Sequence, residues 1–285
     1  MIRFSTRLVI TLVVSTVLLS GCSSTRLAYN QASWWAPWAA RDYLPLDRSQ
    51  RSLLRSQVNE LRDWHCATEI PRYSDWLRQR QQDLDSQRPG EQQLELWLED
   101  MQSAYRAVAQ RLVIPAADLL ATLDDDQVQR LKDNLAEKNR ELKEQYREPS
   151  LTDQISDREE RLLERLERWF GELNRDQQAM VAAWSEQRGE QNSGWLDNRQ
   201  RWQDNLFASL EQRNQQGAFM DQMESLLLAP QLLQTPEYSQ QSQQSRAQGI
   251  TLAAELLGAA DEQQIHHLQS ELASLQRRIE GLDCS

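Results

Sequence analysis

Residues 123–135 read LDDDQVQRLKDNL. Asp124 is placed to cap a helix, because its side chain can accept from the exposed backbone N–H groups of the first turn. Gln127, three residues later, completes the spacing of a capping box, and Leu123 stands where a staple residue belongs. Asp125 and Asp126 fall in the first turn, where the helix dipole favours acidic groups. Val128, Leu131 and Leu135 then recur at helical spacing. The same start signal occurs at Leu46-Asp47-Arg48-Ser49-Gln50, before Leu53, Leu54, Val58 and Leu61, and at Leu173-Asn174-Arg175-Asp176-Gln177. A degraded fourth copy reads Ala259-Ala260-Asp261-Glu262-Gln263. Separations of 77, 50 and 86 residues make this a reused start signal rather than a solenoid period.

The surrounding sequence supports helices throughout. The segment 91–112 follows Pro89-Gly90. Leu162, Leu163, Leu166, Trp169 and Phe170 form one face of a helix over 154–170, on which Glu164 and Arg168 make a well-oriented i,i+4 pair. Residues 174–213 read as one long helix weakened near Gly189 and Gly194, and Pro71 is expected to kink or end the helix begun at Asp47. The polar, Gln- and Ser-rich stretch 230–249 reads as a linker before a last amphipathic helix from Ile250 to about Ile279, within a C-terminal segment 250–285. Only 9 Gly and 8 Pro in 285 residues, against 36 Gln, argue against a β-sandwich or barrel. The expected fold is all-α, an elongated multi-helix bundle with its helical body over 46–229.

The first 21 residues carry an address. Arg3 and Arg7 precede an apolar run from Leu8 to Leu19, about 18 Å long as a helix and short of the ~30 Å hydrocarbon core. It reads as a signal peptide, and Leu19-Ser20-Gly21-Cys22 looks like the lipobox of bacterial lipoproteins. That resemblance implies cleavage before Cys22, acylation of its thiol and its new amino group, and stable anchoring by several acyl chains. Ser23 and Ser24 resemble the outer-membrane sorting signal, so the expected location is the outer membrane, lipid-anchored on its periplasmic face. The chain is acidic, 32 Lys and Arg against 43 Asp and Glu, which speaks against binding a phosphate backbone and so against nucleic acid.

Two cysteines remain, Cys66 and Cys284. In an oxidising compartment they are candidates for a disulfide pinning the C-terminus to the first long helix, with free or intermolecular thiols as the alternatives. The ten tryptophans divide. Most lie on helical patterns beside Leu and Ala, where they fill space between crossing helices. Trp34, Trp35 and Trp38 instead form a cluster in the segment 22–45, 12–16 residues from the lipidated cysteine. They either rest at the membrane–water interface or dock this segment onto the body.

The residues give little sign of catalysis. His65, His266 and His267 come without a metal-binding pattern, and adjacent His65 and Cys66 point about 100° apart on a helix. Asp124-Asp125-Asp126 reads as a capped helix start rather than a cation loop, and no phosphate-cradling or nucleophile motif occurs. The expectation is a non-enzyme without cofactor, metal or small-molecule substrate. Its expected partners are the membrane, through the lipid, and a protein of the envelope.

Ser24-Thr25-Arg26-Leu27-Ala28-Tyr29-Asn30, Trp34, Trp35, Trp38, Asp42-Tyr43, Trp64-His65, Glu69-Ile70-Pro71-Arg72-Tyr73 and the block from Glu160 to Trp184 together resemble a family of uncharacterised helical lipoproteins of Gram-negative bacteria. The resemblance covers roughly residues 19–210 and implies no activity. Cys66 departs from it, standing where a basic residue is expected after Trp-His, and this favours a disulfide peculiar to this chain. The L-x-x-x-Q helix starts are also similar to the L-T-x-x-Q motifs of small periplasmic chaperones, although capping explains the same spacing. Two functions are therefore in play: an anchored helical adaptor or scaffold, and a periplasmic holdase.

Overall fold

The computed structural model describes residues 21–282 and Cys284. The signal peptide expected over 1–21 lies outside the described residues except for Gly21. Eleven α-helices and no strand occur among the described residues. They are α1 (Gly21–Asn30), α2 (Ala32–Ala40), α3 (Arg48–Ser86), α4 (Glu91–Ala121), α5 (Asp125–Tyr146), α6 (Leu151–Phe170), α7 (Arg175–Arg188), α8 (Asn192–Glu211), α9 (Gln216–Leu228), α10 (Pro236–Gly258) and α11 (Glu262–Glu280), with a 3₁₀ turn at Pro230–Leu233. The all-α expectation holds. Among the described residues no helix is long and apolar enough to cross a membrane.

The long antiparallel helices α3 and α4 span the molecule, α3 alone being about 58 Å long at 1.5 Å per residue. At one end Leu46, Leu123, Leu131, Leu206, Leu210, Phe219 and Met223 form one core. At the other, Leu84, Phe170, Leu173, Val181, Leu256 and Ile265 form a second. The body is thus a bundle with two cores joined by two helices.

The four helix starts build both ends. Asp47, Asp124, Asn174 and Asp261 each cap a helix, and each is answered by the side chain of a Gln three residues on. The fourth copy is complete rather than degraded, because its cap is Asp261 and its answering residue Gln264. The four glutamines are buried and meet in pairs. Gln50 and Gln127 exchange amide hydrogen bonds at 2.9 and 2.7 Å beside the first core, and Gln177 and Gln264 do so at 2.9 and 2.8 Å beside the second. The residues before the caps, Leu46, Leu123, Leu173 and Ala260, are buried in those cores. A local capping rule thus supplies long-range fasteners.

Four expectations about element limits are corrected. Pro71 does not end the helix: it lies inside α3, which runs on to Ser86. An interior Pro costs about 3 kcal/mol, here opposed by the packing of Ile70, Ser74 and Leu77 where α11 lies along α3. Residues 174–213 form two helices, α7 and α8, because Gly189 adopts φ +54° and its carbonyl accepts from Arg158 Nη2 at 2.9 Å. The stretch 230–249 is no linker: Thr235 caps α10 and accepts from the Tyr238 N–H, Pro236 takes the first helical position, and the helix packs on α4, α7 and α8. The last helix expected from Ile250 is therefore split at Ala259–Asp261 into the end of α10 and α11.

Candidate functional site

Midway along α3, residues 65, 66, 69, 73 and 76 follow helical spacing and so fall on neighbouring turns. Two other segments converge there, the end of α1 and the segment after α11. Tyr29 at the end of α1 places its hydroxyl 2.9 Å from His65 Nδ1 and 3.5 Å from Cys66 Sγ. The Asn30 carbonyl accepts from Arg62 Nη1 at 3.1 Å. Cys66 is joined to Cys284 by a disulfide with Cα atoms 5.5 Å apart, which fastens the segment after α11 to α3. Further along, the Ser74 hydroxyl donates to Glu280, and Gln81 Nε2 donates to Gln276 Oε1 at 2.9 Å. α11 is thus held to α3 along its length.

The His65 ring packs edge-on to Tyr73 at 5.4 Å. Burial lowers the His65 pKa, partly countered by the negative charge of Glu69. Burial also raises the Tyr29 and Tyr73 pKa values, and for Tyr73 the Glu69 charge adds to it. Burial thus disfavours the charged form of each of the three groups. Glu69 is only 1% exposed, with Oε1 accepting from Arg72 Nη1 at 3.0 Å.

Beside this cluster lies an open groove of about 500 Å³ between α3, α4 and α11. Tyr73, Trp76 and Leu77 form one wall, Met101, Ala104 and Tyr105 the second, Leu275 and Ile279 the third. Trp76 is fixed by its Nε1–H donating to Asp100 Oδ2 at 3.0 Å and by an edge contact with Trp97 at 6.4 Å. The Arg80 guanidinium lies 5.3 Å from the Trp76 ring and 4.9 Å from that of Trp97, a cation–π arrangement that fixes both. Met101 and Tyr105 are 56% and 67% exposed, on a helix whose buried residues are Ala109, Val113 and Ala117. The groove is apolar, pre-formed and rimmed by Arg72 and Asp100, the character of a binding surface. A larger depression of about 890 Å³ between α7 and α10 is lined by Asp176, Gln187, Gln244, Gln248 and Glu255 and offers less apolar surface.

Of the residues singled out in the sequence, Cys22 lies in α1 with its side chain outside the described residues. Trp34, Trp35 and Trp38 project from α2, at 69%, 41% and 61% exposure. His266 and His267 are exposed, the latter beside the Arg168 carbonyl at 3.1 Å. Asp124 is spent on capping, and Asp125 pairs with Arg213. Among the described residues no group of His, Cys, Asp and Glu is arranged to hold a metal ion. Sequence reading missed the groove, because Trp76, Met101 and Tyr105 converge only through helix packing. It did mark the strings that carry Tyr29, His65, Glu69 and Tyr73, and these meet in space.

The chain belongs to a family of unknown function (DUF6279), whose model matches residues 42–239. The match takes in α3 to the start of α10, and so both the α3 and α4 walls of the groove, but not Tyr29, α11 or Cys284. No curated protein and no solved structure matches the chain.

Proposed function

We propose that this protein is an outer-membrane-anchored periplasmic lipoprotein that acts as a non-catalytic helical adaptor. It takes a protein partner of the envelope in the groove between α3, α4 and α11. The observation that carries this reading is the exposure of Met101 and Tyr105 beside the fixed ring of Trp76, on a rigid frame of packed helices. Aromatic residues and Met are enriched where proteins meet, and an apolar groove between helices suits a partner's amphipathic helix. The anchoring half of the reading rests on the lipobox-like Leu19-Ser20-Gly21-Cys22.

The second reading, a periplasmic holdase, draws no support from the repeated helix starts. The glutamines of the repeated L-x-x-x-Q helix starts are buried in reciprocal pairs and are not displayed to clients.

The test is recovery of the protein from outer membranes with its partner, compared with Met101→Asp and Tyr105→Asp. Both positions are exposed, so the variants should fold with unchanged thermal midpoints and lose the partner at least tenfold. Equal recovery would refute the adaptor site. The mass of the N-terminal peptide separately reports acylation of Cys22.

A further inference from the structure

We infer that the outer face of α2 lies in the headgroup layer of a phospholipid bilayer, so that the protein is held by a protein surface as well as by its lipid. This rests on the anchoring reading above.

α2 has two faces of opposite size. Ser33, Ala36, Pro37 and Ala40 fall on one side at helical spacing and are buried or half-buried, and that side packs along α3. Small residues allow the close approach. Trp34, Trp35 and Trp38 occupy the opposite arc, where they are 69%, 41% and 61% exposed. Docking and exposure are therefore both true of this helix: its small residues dock it, and its rings are left over. Trp35 is also fixed in place, its Nε1–H donating to the Ala28 carbonyl at 2.7 Å. Three large rings held outward on a fixed helix form an apolar face that no described part of the chain covers.

Two observations identify the bilayer as what covers it. The first is position: Cys22 lies on α1, 12 residues before Trp34, and α1 and α2 are joined by Gln31 alone. The eight helical steps from Cys22 to Asn30 span about 12 Å, so acyl chains on Cys22 would keep the face close to the membrane surface. The second is charge. The segment 22–45 contains Arg26 and Arg41 against a single acidic residue, Asp42, in a chain of net charge −11. Arg41 sits over the Trp38 ring with Cζ 5.9 Å from its centroid, placing a cation at the edge of the apolar face. Indole rings favour the membrane–water interface, with their apolar body among acyl chains and N–H in the headgroups, and a nearby cation is complementary to lipid phosphates.

The experiment places the purified full-length protein in vesicles of phosphatidylethanolamine and phosphatidylglycerol, with and without bromine on the acyl chains. Bromine quenches tryptophans that reach the acyl region. Wild-type fluorescence should fall on bromination, and in a Trp34→Ser/Trp35→Ser/Trp38→Ser variant that fall should shrink at least threefold, since the other seven tryptophans belong to the body. Trp34→Ser alone, at the most exposed ring, gives a partial loss should the triple variant fold poorly. Equal quenching in wild type and variants, or none in wild type, overturns the inference. The mass of the N-terminal peptide keeps the two failures apart. An acylated Cys22 without quenching defeats the surface and leaves the anchor. An unmodified Cys22 defeats the anchor, and the surface then stands or falls on whether added vesicles still quench these three rings.

Discussion

Gln50 and Gln127, 77 residues apart, hydrogen-bond to each other through both ends of their amides, at 2.9 Å in one direction and 2.7 Å in the other. Each also serves its own helix start: Gln50 Oε1 accepts from the Asp47 N–H and Gln127 Oε1 from the Asp124 N–H. Their remaining donors reach the carbonyls of Thr122 and Pro45. One pair of side chains thus caps two helices and ties them together in a buried place. Gln127→Ala should cost roughly 1–3 kcal/mol, the range for leaving a buried polar partner unpaired. Gln50→Ala/Gln127→Ala should cost less than the sum of the single changes, because the second removes a group already orphaned. Urea unfolding of the four proteins measures both quantities.

The disulfide should set how firmly α11 is held. It closes a separation of 218 residues, for which the chain-entropy account gives about 5 kcal/mol. Cys284→Ser or reduction by a dithiol should lower the unfolding midpoint and make α11 the first segment cut by protease. A midpoint unchanged by reduction would mean that the bond constrains nothing.

Acid should weaken the junction around His65. Its pKa is lowered in the fold by burial, so the folded state prefers the neutral ring while the unfolded chain takes up a proton near the ordinary value of 6.5. The stabilisation is present above that value and is lost as pH falls through the lower folded pKa. His65→Asn should flatten the pH dependence of the midpoint in this window. Tyr29→Phe removes the hydroxyl beside Nδ1, and proton titration of the ring by NMR reads the change. A separate loss at lower pH should come from Asp47, whose pKa is lowered chiefly by the Gln50 N–H and then by the Ser49 hydroxyl. Its contribution is present above 3.8, the ordinary value, and is lost as pH falls through the folded value.

Gly189 should resist substitution. Its φ of +54° is open to glycine and strained for other residues, although no atom would meet an added Cβ. Gly189→Ala should destabilise by roughly 1–3 kcal/mol through backbone strain alone. Gly217→Ala is the control: a Cβ there also meets nothing, and the backbone is not strained.

What was legible in the sequence was local. The starts at Asp47, Asp124 and Asn174 could be read because capping depends on residues three apart. The α10 start at Thr235-Pro236 carries an equally local signal, but the polar run from Ser239 to Gln248 hides it by lacking a continuous apolar stripe; its buried residues, Leu252, Leu256 and Leu257, come late in the helix. The passage of α3 through Pro71 could not be read, because it depends on α11 packing alongside from about 200 residues away. The same holds for the groove. Tyr73 and Trp76 are near in sequence, but Met101, Tyr105, Leu275 and Ile279 join them only through tertiary packing. The strings around Tyr29, His65 and Glu69 stand out one by one, and only tertiary packing brings them together.

The most direct test of the adaptor reading is site-specific photo-crosslinking in intact cells. A photoreactive residue is placed at Met101 or Tyr105 in the groove and, as control, at exposed Leu232 on the 3₁₀ turn. The account predicts one dominant protein adduct in the outer-membrane fraction from 101 and 105 and none from 232. No adduct from the groove, or the same broad smear from all three positions, would contradict it, and the smear would point instead to a holdase.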